Sequence, residues 1–539
     1  MFHHKPLEEL VVYQIYTRSF KDSNGDGIGD LAGVTQKLDY LADLGVDMLW
    51  LSPFCSSPND DMGYDISDYQ NIMTEMGTME DLDNLLEEAH KRNIGIMMDL
   101  VLNHSSDEHS WFIESRSSKD NPKRDWYIWA DKPNNWDSYF CPEAWEYDEV
   151  TGQYYLHIFG VKQPDLNWRN EELRAEIHRM VDWWLEKGID GIRFDAIHLI
   201  GKPEGNPDYV HAPGESKRFC HFRNHELGHH YLQEMHDKVM KKHDPVTVGE
   251  TGGSTPEGAR LYVDKKRNEF DMIFHLGFLE DDEFEDNPAQ NYKKFYEKWY
   301  KQLSIEGWDA TYLGNHDLAR AVSVIGDEEN YWRESATCLA TMIMTQWGTP
   351  YIYQGDEIGM VNAGFTSLDQ FRDPHTTIRY HAAEEKGDDS DAVLKEIIKW
   401  GRDNSRTPMQ WDASPNGGFS DAEPWIMMAR NWEHINVAAQ ENKRGTIFNY
   451  YKKMIALRKS NKNLAYGKME MVKSEPAVFA YNRIHEGRTV QVVLNLSSSP
   501  SAHRIDDFND DQVLISNYPS QRKNVSGLML RPWEAVVIS

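Results

Sequence analysis

Four short apolar runs in this chain end on clusters of carboxylates, imidazoles and amides. DLVLNH carries Asp99, Asn103 and His104, and GIRFDAIH carries Arg193, Asp195 and His198; VTVGE closes on Glu250, and YLGNHD on Asn315, His316 and Asp317. One polar residue closing a run is ordinarily a loop cap. Four endings of this composition point instead to a single convergent site, in which Asp195, Glu250 and Asp317 offer nucleophilic and acid/base chemistry. Alternation along GIRFD puts Arg193 and Asp195 on one face and Ile192 and Phe194 on the other. A guanidinium beside Asp195 favours the ionised carboxylate, the state a nucleophile needs.

Such endings converge only if the runs are strands whose carboxyl ends point the same way. VVYQIY, VDMLWLSP, IGIMMDLVLNH, GIDGIRFDAIHLI, VTVGE, FDMIFHLGF, DATYLGNHD and TPYIYQGDEIG read as eight strands. Segments of helical period separate them, with Leu82, Leu85, Leu86 and Ala89 in one and Ile177, Met180, Val181, Trp184 and Leu185 in another. The alternation predicts an α/β chain folded as a (β/α)8 TIM barrel, in which side chains at the carboxyl ends of strands do the chemistry. A polar, aromatic stretch interrupts the pattern after the third strand and reads as an inserted domain over 105–170. The barrel then spans 1–104 and 171–464, with a long excursion over about 360–444 before the helix NYYKKMIALRKS. From 465 to 539 the pattern turns to alternating strands and turns, predicting a C-terminal antiparallel, sandwich-like β domain.

Composition narrows the function. With 57 Lys and Arg against 88 Asp and Glu, the net charge of −31 repels nucleic acid and anionic membranes. The amino terminus shows no cationic-then-apolar leader, and no run of about eighteen apolar residues occurs, so a soluble, cytoplasmic protein is expected. The four cysteines, Cys55, Cys141, Cys220 and Cys338, lack the short spacings of a zinc site or disulfide framework and are expected to be reduced.

DLVLNH, GIRFDAIH, VGET and YLGNHD, with QPDLNW in the inserted region, resemble the conserved segments of glycoside hydrolase family 13, the α-amylase superfamily, in the expected order. The resemblance implies a retaining mechanism with Asp195 as nucleophile, Glu250 as acid/base and Asp317 as the third carboxylate, holding the sugar's secondary hydroxyls. Crowding of three carboxylates raises the proton affinity of one, which suits a protonated Glu250, and the three titrate together. His104 and His316 are expected to donate to sugar hydroxyls and Arg193 to orient the nucleophile. DDMGYDISDY and GRDNSRTPMQW look most like the exo-acting oligosaccharide glucosidases: oligo-1,6-glucosidase, dextran glucosidase and bacterial maltase. That resemblance implies that Asp61 and Arg402 grip the terminal glucose and Tyr64 stacks beneath it. Phe159 is a candidate wall for the leaving sugar, and Gln163 of VKQPDLNW counts among the substrate-binding residues.

The loop DSNGDGIGD places Asp22, Asn24, Asp26, the Ile28 carbonyl and Asp30 at alternate ligand positions and resembles a calcium loop, implying a structural Ca2+ or Mg2+. Substrates are expected to be short oligosaccharides or disaccharides. In the glucosidases this chain resembles, Val after the nucleophile accompanies α-1,6 activity and Ala or Thr α-1,4 activity. The resemblance thus implies, through the small Ala196 and a TGG after Glu250 that departs from their Met-Pro-Gly or Thr-Pro-Gly, α-1,4 over α-1,6 linkages. Oligo-1,6-glucosidase or dextran glucosidase, trehalose-6-phosphate hydrolase, and sucrose isomerase or glucosyltransferase are the alternative activities on this scaffold. A catalytically silent ancillary subunit of a transporter is the non-enzyme alternative; it conflicts with the intact carboxylate set and the lack of a spanning segment. The oligomeric state is not legible in the sequence.

Overall fold

The computed structural model describes residue 3 and residues 5–210, 222–275, 287–505, 510–519 and 527–539. Eight parallel strands build one sheet: β1 (Val12–Ile15), β2 (Met48–Leu51), β3 (Gly95–Val101), β4 (Gly191–Asp195), β5 (Val246–Glu250), β6 (Met272–Phe274), β7 (Ala310–Thr311) and β8 (Thr349–Tyr353). Their order is β6-β5-β4-β3-β2-β1-β8-β7, and β6 lies against β7 across a seam without ladder bonds, so the sheet is a nearly closed barrel. The end of the run FDMIFHLGF, residues 276–278, lies outside the described residues, as does Cys220.

The helices form where the apolar period asks for them. Helix α1 (Met79–Lys91) opens on a Thr78–Asp81 capping box and buries Leu82, Leu85, Leu86 and Ala89. Helix α2 (Glu171–Lys187) is capped by Asn170, buries Ile177, Met180, Val181, Trp184 and Leu185, and stops at Gly188, whose φ of 112° suits glycine. Register then sets the chemistry: β3 and β4 pair Asp99 with Arg193 and Val101 with Asp195, so two charged side chains enter the barrel as neighbours.

Between β3 and β4, strands Trp129–Ala130, Trp145–Asp148 and Gln153–Leu156 form a small antiparallel sheet. Its apolar cluster, including Trp136, Trp145, Leu156 and Ile158, also takes in Ala196, Leu199 and Phe222 from the chain after β4. The insertion is thus packed directly on the loop that follows the Arg193 strand. The later excursion contains a helical pair that the sequence reading left undivided, α3 (Pro374–Lys386) and α4 (Ser390–Trp400).

After helix α5 (Ile447–Ser460), strands β9 (Lys468–Met471), β10 (Val478–His485), β11 (Arg488–Asn495), β12 (Val513–Ser516) and β13 (Ala535–Ile538) form an antiparallel sheet in the order β9-β10-β11-β13-β12. Arg483 joins it to the barrel through a buried guanidinium, and Arg458 of the barrel's own helix α5 braces the same turn. Arg458 of α5 donates to the carbonyls of Met344, Gln346 and Gly348, and Arg483 of β10 to those of Thr345 and Gln346. Burial lowers them to about 9 and about 10.

Candidate active site

Arg193 is the hub of the barrel mouth. Its Nη1 donates to Asp99 Oδ1 at 2.7 Å and to Asp195 Oδ1 at 2.6 Å, and its Nη2 donates to Glu250 Oε2 at 2.8 Å. The Ala196 amide, reached through a left-handed φ of 42°, gives the same Glu250 oxygen a second bond at 2.9 Å. Asp195 Oδ2 and Glu250 Oε1 have no protein partner among the described residues, so each carboxyl turns one free oxygen to the site. Three carboxyls share one cation. Burial raises Asp195 well above the usual carboxylate range; Arg193 opposes this, and Glu250 and Asp99 add to it. Arg193 pulls Asp195 towards the ionised form, as expected, but its charge is divided among three carboxyls.

Asp317 sits in a different field. Burial pushes it up, but His316, Arg402 and Arg406 outweigh burial and hold it well below the usual range. Arg402 Nη1 and Arg406 Nη2 donate to its Oδ1 at 3.1 and 2.9 Å, and His316 Nε2 stands 3.0 Å from Oδ2. Gln14 Nε2 stands 2.8 Å from His316 Nδ1, on the ring edge away from Asp317. Tyr64 lies parallel to the His316 ring, with centroids 5.4 Å apart, and its hydroxyl donates to Asp99 at 3.1 Å.

The other expected residues join the same surface. Arg402 Nη2 pairs with Asp61 at 3.2 Å, and Gln163 donates to the second Asp61 oxygen at 3.2 Å. His104 Nε2 donates to the Tyr64 carbonyl at 2.9 Å. The Phe159 ring lies 4.9 Å from His104 and stacks on Tyr139 at 5.0 Å. Asp61 is buried, and burial raises it to about 6 although Arg402 and Arg406 pull it down.

Several neighbours were not singled out from the sequence. Asp373 accepts from Arg402 at 2.7 Å, closer than Asp61 does, and also caps α3. Only its place before Pro374 marked it, as a helix cap. Arg406 was read as part of a motif and not as a contact of Asp317. Lys202, buried, donates to Asp165 and Asn103 at 2.5 Å each and ties the insertion to the end of β3.

The loop from Asp22 to Asp30 was tested as a metal site on its donors. They are all oxygens, which suits a hard cation. Their carboxylates, however, already accept protein donors: Asp22 from the amides of Asn24, Gly25 and Gly27 and the Ser420 hydroxyl, and Asp30 from the amides of Ser23 and Gly33. Among the described residues no three Asp, Glu, His or Cys side chains are grouped as a metal site.

Residues 14–467 match the family model for the α-amylase catalytic domain. The chain belongs to the α-amylase family. Among the relatives of this family member, an oligo-1,6-glucosidase of Parageobacillus thermoglucosidasius is 47% identical, with 98% of each chain covered. A glucan 1,6-alpha-glucosidase of Streptococcus pneumoniae serotype 4 is 44% identical, again with 98% of each covered. A solved trehalulose synthase mutant in complex with Tris superposes with a TM-score of 0.94 at 41% identity, covering 99% of both chains. The chain is therefore a member of the glycoside hydrolases of this family. No helix among its described residues is long and apolar enough to cross a membrane.

Proposed function

We propose that the enzyme is an exo-acting, retaining α-glucosidase that releases glucose from the non-reducing end of short α-glucosides. The observation that carries this reading is the bridging of Asp195 and Glu250 by one guanidinium, with a free oxygen left on each. Retaining glycosidases need two carboxyls about 5–5.5 Å apart, one to attack and one to protonate the leaving oxygen. In this reading Asp195 attacks the anomeric carbon while Glu250 protonates the leaving oxygen, and Glu250 then activates the water that opens the glycosyl-enzyme. Asp317, kept ionised by its cations, holds hydroxyls of the bound sugar. Pairing of Asp61 with Arg402, backed by Gln163, supports a pocket closed at the glucose end.

On linkage we propose α-1,4 preference, supported by the small Ala196 against Glu250. The oligo-1,6-glucosidase and glucan 1,6-alpha-glucosidase relatives favour α-1,6 as the second reading. We further propose that the Asp22–Asp30 loop takes Ca2+ or Mg2+, supported by its oxygen donors, with Asp22, Asn24, Asp26, Ile28 and Asp30 as ligands. The cytoplasmic setting is supported by the free thiols of Cys55, Cys141 and Cys338. The division into a barrel (1–104, 171–464), an inserted domain (105–170) and a C-terminal domain (465–539) belongs to the same proposal. Anomer-resolved product analysis on maltose, isomaltose, sucrose and trehalose 6-phosphate tests the activity. First-formed α-glucose from maltose, faster than from isomaltose, is expected; initial β-glucose removes the retaining mechanism, and a tenfold isomaltose preference reverses the linkage.

A further inference from the structure

Beyond Glu250 the chain turns through Gly253 at a φ of 65°, and a Cβ built there would stand 1.7 Å from Nη1 of Arg223 and 2.4 Å from its Cζ. The guanidinium therefore lies flat against the turn that carries the acid/base, in space that exists because residue 253 has no side chain. Arg223 is held there at its base: the next residue, Asn224, donates its amide to the His198 carbonyl at 2.9 Å and accepts from Ser254 and Tyr262 at 2.9 and 2.8 Å. Its far end reaches the insertion, where Nη2 donates to the Tyr139 hydroxyl at 3.4 Å.

Tyr139 begins a wall. Its ring stacks on Phe159, Phe159 meets His104, and Gln163 joins this wall to Asp61 and the clamp. One end of the wall is thus the glucose-gripping pair Asp61 and Arg402. The other end is Arg223, beside the loop of the residue that protonates the leaving oxygen. A substrate gripped at its terminal glucose and cleaved at Glu250 extends its leaving sugar towards that second end.

We propose that Arg223 binds the leaving sugar, donating guanidinium hydrogen bonds to its hydroxyls, and that the missing side chain at Gly253 lets the guanidinium stand where it does. The inference rests on the exo-glucosidase reading above. A planar fork of donors is suited to vicinal hydroxyls, and loss of a charged donor to a bound polar group weakens binding about tenfold or more. No such bond exists when the leaving group is an aryl ring.

The test compares kcat/KM on maltose and isomaltose with that on p-nitrophenyl α-glucoside for wild type, Arg223→Ala, Arg223→Lys and Gly253→Ala. The disaccharide values should fall about tenfold further than the aryl-glucoside value in Arg223→Ala, and in the same sense in Gly253→Ala, where the added methyl displaces the guanidinium. Arg223→Lys should recover part of the loss. Equal losses on both substrate types, as a purely structural role gives, or no loss at all, overturn the proposal; if Gly253→Ala does not fold, the two Arg223 variants decide alone. A wild type that cleaves none of the three substrates fails the glucosidase reading and this proposal with it.

Discussion

Asp61 is the residue at which function and stability pull hardest against each other. Its ordinary value of 3.8 rises to about 6 in the folded chain, mainly through burial. A folded-state value above the unfolded one means that the contribution to stability is fully present below 3.8 and lost as pH rises through about 6. That gap corresponds to about 3 kcal/mol held against the folded chain at pH 8. Asp61→Asn keeps the neutral form at every pH, and Arg402 retains Asp373 and Asp317 as partners. Thermal unfolding followed by circular dichroism should therefore show a difference in Tm, variant minus wild type, that grows more positive from pH 4 to pH 8. Glucose release should move the other way, because the clamp loses its anion. A Tm difference that is flat across this range, or that falls towards pH 8, would show that Arg402 fully offsets the buried charge and would refute the reasoning.

Three further outcomes follow from the same geometry. Asp195→Asn and Glu250→Gln should each lower glucose release by several orders of magnitude with unchanged circular dichroism; near-normal rates in either variant would remove the pair from the mechanism. Ala196→Val should shift the maltose-to-isomaltose rate ratio towards isomaltose and lower Tm, since a β-branched residue is strained at a φ of 42°; an unchanged ratio would discard Ala196 as the linkage determinant. If the Asp22–Asp30 loop holds Ca2+, chelation should lower Tm and added Ca2+ restore it, whereas kinetics measured below the transition stay unchanged.

The barrel was legible because each strand is a short apolar run closed by a polar residue, and each helix buries one periodic stripe. Period two along GIRFD correctly put Arg193 and Asp195 on one face, since β4 lies in regular register with β3 and β5. What the sequence hid were partners set by tertiary approach. Asp99 was seen as a strand ending but not as the third claimant on Arg193, because that contact depends on cross-strand register. Asp373 reads locally as a helix cap, and its second role needs α3 to end up beside Arg402, far away in the chain. The sharing of Arg193 was hidden for the same reason: local pairing gives it to Asp195 alone, whereas the fold divides it among three acids.

Arg458 and Arg483 bear on how this enzyme can be re-engineered. Both spend their donors on main-chain carbonyls around Thr345–Gly348, in the turn between helix Trp332–Thr345 and β8. The joint rests on Arg483 and on the hydroxyl pair of Thr345 and Tyr481, with Arg458 of the barrel's own helix bracing the same turn. Cutting the chain near 465 would remove Arg483 and leave carbonyls at the base of the barrel facing an empty interface. A hybrid enzyme with a foreign tail should therefore keep an arginine at the Arg483 position of the incoming sheet, and a shortened chain without one should come out of expression trials aggregated.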